Sequence, residues 1–205
     1  MSNSIPLGAQ HILAAAEPLF ASGGYAGVSI QQIAKEANIS KANIYHHFNS
    51  KDELYLAVLR YAFQDMNQLL KSLQHIEGSP KEQIAHFARE HLKHLLQKQD
   101  LSRLVLRELL DSNSSRGEAL AREVFSEYFE RLQVLFRKGQ SCGEIRSDVD
   151  ADHLATALVG MNVFLFQSWN ALQHFPESTF QNQEKSGEIM FDLLLNGIAP
   201  QGSST

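Results

Sequence analysis

The 205-residue sequence has a single cysteine, Cys142. No disulfide can close within the chain, which excludes the stapled secreted class and points to a reducing compartment, with Cys142 as a loop thiol. Long hydrophobic runs are also missing. The longest, around Leu154 to Phe166, is interrupted by Thr156 and Asn162 and falls short of the roughly 20 residues a membrane helix needs. The opening Met-Ser-Asn-Ser-Ile-Pro lacks the basic start and apolar stretch of a secretory signal, so a cytoplasmic location with no membrane partner is expected. There is no basic excess either. With 18 Lys and Arg against 23 Asp and Glu the net charge is −5, which excludes a protein that coats nucleic acid through bulk positive charge. No Gly-x-Ser-x-Gly elbow, phosphate-cradling Gly-rich loop or zinc-type spacing occurs, so neither an enzyme nor a cofactor is expected. His86, His91 and His94 lie on one helical stretch, and no carboxylate or cysteine completes a ligand set with them, so no metal is expected.

What is present is 3.6-residue apolar spacing almost throughout, on a globular background of 43% apolar and 20% charged residues. The spacing predicts an all-α fold of about nine helices, near 9–22, 29–36, 40–47, 50–75, 79–98, 101–111, 115–139, 150–173 and 183–197. Their starts are marked by capping boxes, in which a Ser side chain takes one orphan amide and a Glu or Gln three residues later returns to the Ser amide. Ser29/Gln32, Ser50/Glu53, Ser79/Glu82 and Ser115/Glu118 fit the pattern, with Ser40 and Asp150 as simpler caps. Gly23-Gly24, Gly139 and Gly197 are expected to stop helices, and Pro18 falls inside the first. The 50–75 stretch would be about 39 Å long at 1.5 Å per residue, long enough to join a head to a body. The expected division is a head of residues 1–55 and a body of residues 56–205.

The most informative segment is SIQQIAKEANISKANIYHHF, Ser29 to Phe48. Ile30, Ile33, Ala34 and Ala37 share one face of a short helix. Asn38, which tolerates a left-handed backbone, is followed by Ile39 and a fresh cap at Ser40. The next helix turns Ile44 and Phe48 inward and leaves Lys41, Ala42, Asn43, Tyr45 and His46 outward. Two short helices, a three-residue turn and an outward face rich in groups that reach bases and phosphates describe a helix-turn-helix with a recognition helix. Ser29, Gln31 and Gln32 are candidate backbone contacts from the preceding helix. Residues 1–60 are electrically neutral, with Lys35, Lys41, Lys51 and Arg60 against Glu17, Glu36, Asp52 and Glu53, so the rest carries the −5.

Residues 9–60 resemble the amino-terminal domain of TetR/AcrR-family transcriptional regulators. Leu19-Phe20, Gly24-Tyr25, Ile33-Ala34, Ser40, Tyr45, His47-Phe48, Lys51 and Leu54 all fall in register with that pattern. Gln10-His11 stands where many relatives open the first helix with a basic residue, which removes a backbone anchor. Asn38 stands where the turn usually has glycine. The resemblance implies an N-terminal three-helix head and a helical ligand-binding and dimerisation body. It implies phosphate contacts from Tyr45 and Lys51, and base-edge approaches from Lys41, Ala42, Asn43 and His46; Ser40 is also among the candidate DNA-binding residues.

With so few cations per head, a homodimer is expected, placing two recognition helices about 34–36 Å apart on a pseudo-palindromic operator. The 150–173 stretch is apolar nearly all round and supplies Leu154, Leu158, Met161, Phe164, Leu165 and Trp169, joined by Ile189 and Phe191 from the last helix. In the family resembled, the last two long helices pair across a twofold axis. The middle helices there surround a small-molecule pocket, for which Phe63, Met66, Phe87, His91, Phe125, Tyr128 and Phe129 are the candidates. The resulting expectation is a repressor released by an effector. The alternative is a DNA-bound adaptor that recruits a protein partner.

Overall fold

Serine side chains cap the starts of several of these helices. In the computed structural model, which describes residues 6–73, 78–110, 116–176, 178 and 180–198, every regular element among the described residues is helical. They are α1 (Leu7–Gly27), α2 (Ile30–Glu36), α3 (Lys41–His47), α4 (Lys51–Ala62), α5 (Gln64–Leu73), α6 (Pro80–Gln97), α7 (Gln99–Leu110), α8 (Arg116–Leu120), a π-helical turn (Ala121–Phe125), α9 (Ser126–Ser141), α10 (Ala151–Leu172) and α11 (Gln183–Ile198). All nine expected helices are there, and two are interrupted. The 50–75 stretch breaks at Phe63 with no glycine or proline involved. The 115–139 stretch contains the π turn, whose extra residue loosens one helical turn. Phe63 and Phe125 meet edge to face at 5.1 Å, so a tertiary contact accompanies both irregularities.

The boxes at Ser29 and Ser79 close in both directions: Ser29 N–H donates to Gln32 Oε1 at 2.7 Å and Ser79 N–H to Glu82 Oε2 at 2.9 Å. Ser50 accepts from Glu53 N–H at 3.0 Å, but the Glu53 carboxylate takes the Asn49 amide and side chain instead, at 2.7 and 2.8 Å. Ser115 lies outside the described residues. Asp150 occupies the cap position of α10 without a side-chain cap bond. Gly139 does not stop α9. It is buried, and a Cβ there would stand 2.8 Å from Ile145 Cδ1. The turn is made by Gly143, at φ 79°. Gly197 likewise falls inside α11. Gly24 does break α1, at φ 67°, before one last turn to Gly27.

The contacts form two compact units, and their limits differ from the functional boundary expected at 55/56. One is Met1–Asp65 with Lys98–Ser126; the other is Met66–Gln97 with Glu127–Thr205. In the first, α1 packs on α2, α3, α4 and α7 around the fully buried Ile12, Phe20, Ile33, Ile44, Leu54 and Leu59. Each such side chain contributes about 1.5–3 kcal/mol on burial. Tyr55 is buried too, its hydroxyl donating to Glu108 Oε1 at 3.0 Å, and Lys98 pairs with Glu17 at 3.1 Å. In the second unit, α6, α10 and α11 pack on one another. α11 meets α6 closely at Gly187, where a Cβ would stand 2.3 Å from Leu92 Cδ2 and the leucine would have to shift.

Candidate nucleic-acid interface

The turn between α2 and α3 is built as its residues require. Ala37 ends α2, Asn38 takes the left-handed conformation at φ 52°, and the amide of Ile39 returns to the Ala34 carbonyl at 2.9 Å. Ser40 then caps α3, accepting from Asn43 N–H at 3.1 Å. With Ile44 at 0% exposure and Phe48 at 7%, the helix can present only one orientation. Lys41, Ala42, Asn43, Tyr45 and His46 are accordingly all exposed.

The ten sequence-predicted contact residues separate into two sets. Ser29, Gln31, Gln32, Lys41, Tyr45 and Lys51 line one open groove beside the end of α1. Ser40, Ala42, Asn43 and His46 lie outside it, exposed on α3 or at its cap. A concave strip with two cations, a phenol and amide donors suits a sugar-phosphate chain, while a narrow polar ridge suits base edges. Lys41, expected at base edges, is part of the groove. Ser29 and Gln32 bind each other, so the hydroxyl and amide oxygen are occupied by the cap, and the Gln32 amide nitrogen is the donor left over.

Lys51 opens α4, at the end where the helix dipole is positive and a cation is disfavoured. Its ammonium instead sits 4.2 Å from the centre of the Tyr25 ring. That ring leans on Tyr55 at 5.1 Å, and Tyr55 on Phe20 at 5.0 Å. A half-buried Tyr25, rooted in the buried Tyr55 and Phe20, thus aims a half-exposed charge, and the field of the helix terminus adds to that charge in attracting an anion. Sequence reasoning missed Tyr25 as this platform, because nothing local links position 25 to position 51.

The pocket candidates also divide. Phe63 and Phe125 face each other in the first unit. Phe87, His91 and Tyr128 cluster in the second, with Phe87 stacked on His91 at 5.7 Å. Met66 is buried and Phe129 half-buried there, the latter touching Tyr128 at 5.4 Å. His91 Nδ1 accepts from Asn162 Nδ2 at 3.2 Å, and the same amide donates to the Ala88 carbonyl at 2.8 Å. Burial, with His94 nearby as the lesser cause, lowers the His91 pKa to about 3, and burial raises that of the Tyr128 phenol. Both groups are therefore neutral at pH 7.

Of the eight residues expected at a dimer surface, Leu154, Leu158, Leu165 and Phe191 are buried within the protomer's own core. These four apolar side chains are already covered and leave little surface to give a partner. Phe164 (59% exposed) and Ile189 (55%) are open, Met161 and Trp169 half-open, and Leu193, at 67%, extends the apolar face. No helix among the described residues is long and apolar enough to cross a membrane.

Comparison with known proteins agrees with this geometry. Residues 12–58 match the family described as bacterial regulatory proteins, tetR family, and residues 80–189 match the tetracyclin repressor-like C-terminal domain. The HTH-type transcriptional regulator RutR of Escherichia coli (strain K12) is 26% identical over 203 residues, covering 93% of this chain and 90% of RutR. The HTH-type transcriptional repressor NicS of Pseudomonas putida is 25% identical over 195 residues, covering 92% and 91%. The fold is shared with FadR of Bacillus subtilis, solved in complex with stearoyl-CoA, at a TM-score of 0.74 and 20% identity over 92% of this chain and 98% of that one. The two matched stretches span the helix-turn-helix and most of the body, and the chain belongs to the TetR family of bacterial transcriptional regulators.

Proposed function

We propose that the protein is a cytoplasmic repressor that binds a pseudo-palindromic operator as a homodimer and is released by a small-molecule effector. The observation that carries this reading is α3, whose Lys41, Ala42, Asn43, Tyr45 and His46 stand exposed over a buried Ile44. Residues 1–55 hold every proposed DNA contact and form the head in this functional sense, with 56–205 as the body. Tyr45 and Lys51 grip phosphates, with Ser29, Gln31 and Gln32 beside them. Ala42, Asn43 and His46 meet base edges, asparagine pairing with adenine and alanine with a thymine methyl, and Lys41 reaches from the groove towards guanine.

Dimerisation uses the exposed apolar face of α10 and α11, with Met161, Phe164, Trp169 and Ile189 as its centre. Removing those side chains from water offsets the cost of association. The effector binds in the body, where Phe87, His91 and Tyr128 offer aromatic surface and groups that carry no charge at pH 7, which suits an uncharged part of the ligand. Its binding shifts the population away from the DNA-competent arrangement, and the coupling is reciprocal.

Selection from a pool of random 30-base-pair duplexes, followed by footprinting, tests the reading. The expected product is an inverted repeat with half-site centres about 34–36 Å, or a multiple of that, apart. A pool that shows no enrichment, or a single unrepeated half-site, contradicts it.

A further inference from the structure

At the C-terminal end of α2 most backbone carbonyls are satisfied locally: those of Ile33, Lys35 and Ala34 accept from the amides of Ala37, Asn38 and Ile39 at 2.9, 3.1 and 2.9 Å. The carbonyl of Ala37 is met from elsewhere. His11, 26 residues earlier on α1, places Nε2 2.8 Å from it. A carbonyl can only accept, so Nε2 carries the proton, and both the neutral Nε2–H tautomer and the imidazolium make this bond.

The peptide that His11 holds lies between ψ of Ala37, −3°, and φ of Asn38, 52°. Those two torsions set the direction in which α3 leaves α2. Gripping the plane between them fixes the presentation of Lys41, Asn43 and His46 without touching any of the three. A second contact, at the other end of the recognition helix, works the same way. His47, in the last turn of α3, lies so close to Gly8 that a Cβ there would stand 2.9 Å from its Nε2.

We propose that His11 is a positioning residue for operator recognition: through the Ala37 carbonyl it clamps the α2–α3 turn to α1, and the His47–Gly8 contact steadies the far end of α3. This inference rests on the DNA-binding reading above. It also gives a use to the position where the sequence departs from a basic opening of α1: the exposed His11 side chain lies along the head's surface and binds its backbone, aligning the reading helix, rather than a phosphate.

The test uses the full chain, the duplex recovered from the random pool, and poly(dI-dC) as a non-specific probe. His11→Ala is expected to weaken the selected duplex about three- to tenfold, the scale of one net hydrogen bond, while changing poly(dI-dC) binding less than about twofold. His11→Gln, whose Nε2 can make the same bond, is expected to restore most of the loss. Gly8→Ala, which displaces the His47 ring, is expected to weaken the selected duplex in the same sense. In the free protein, amide exchange at Asn38 and Ile39 should quicken in His11→Ala, while Val58 in α4 stays unchanged. Unchanged affinity in His11→Ala overturns the proposal even where exchange quickens, since the clamp would then not serve recognition. An equal loss on both probes with no rescue by Gln also overturns it, because that is the signature of a phosphate contact. Failure of the wild type to enrich any sequence defeats the DNA-binding reading itself, and is told apart because the exchange arm still reports the clamp.

Discussion

Helix α3 buries Ile44 and exposes five small or polar side chains, whereas α10 buries seven residues, Asn162 among them, and leaves the phenylalanine Phe164 in water. The short helix is specified from close by: a Ser cap, a left-handed Asn and one apolar anchor determine its start, its direction and its outward face. The long one is specified from a distance, by α6 and α11 packed along it, and its sequence alone does not reveal which apolar side chains those neighbours cover. An exposed polar ridge on one and an exposed apolar face on the other suit different partners, DNA for the first and a second protomer for the second.

Removing the anchor of α3 should produce the largest effect. Ile44→Ala opens a cavity in the packed first unit and should cost about 2–5 kcal/mol in denaturant unfolding. Asn43→Ala, one residue earlier and exposed, should stay within about 0.5 kcal/mol of the wild type in the same experiment. Comparable losses would mean that the ridge is part of the core. Within α10 the polar residue is the sensitive one. Asn162→Ala deprives both the Ala88 carbonyl and His91 Nδ1 of their donor, and should cost about 2 kcal/mol by thermal or denaturant melting. A neutral result would show that water replaces the amide there.

Acid should strain the second unit next. His91 is neutral when folded, its pKa lowered from 6.5 to about 3, so the unfolded chain binds the extra proton first as pH falls. The stability it contributes is complete above about pH 6.5 and is lost progressively towards pH 3. Between pH 7 and pH 5 the loss is about 2 kcal/mol, less in His91→Phe by that amount. Equal slopes for the two proteins would show that the ring takes up its proton without unfolding. A smaller effect belongs to the groove: Lys51→Ala should weaken binding to all duplexes alike and lower the salt slope by about 1 per head, read from titrations between 50 and 200 mM salt.

The helix-turn-helix was legible because it is written in local chemistry. Ser29, Gln32, Asn38 and Ser40 each act within a few residues, and each does what its type predicts. The break at Phe63, the π turn and the fate of Gly139 were not legible, because contacts remote in sequence accompany them: Phe125 meets Phe63, and Ile145 packs where a Cβ on Gly139 would go. The same holds for the site. Its exposed residues could be named from periodicity, but Tyr25 beneath Lys51 and His11 behind Ala37 act over 26 residues each, and no spacing rule connects them. That four of the eight expected dimer residues are buried in the protomer and four are open was not legible for a related reason: an all-round apolar helix does not say which of its faces the protomer keeps.

The most direct test of the central claim is a base-by-base binding map of the selected operator, made by fluorescence anisotropy for the wild type and for Asn43→Ala. If the α3 ridge reads base edges, the variant should lose about 1–3 kcal/mol of discrimination at one or two positions in each half-site and keep the rest of the map. A map that is unchanged, or one lowered uniformly at every position, would contradict it.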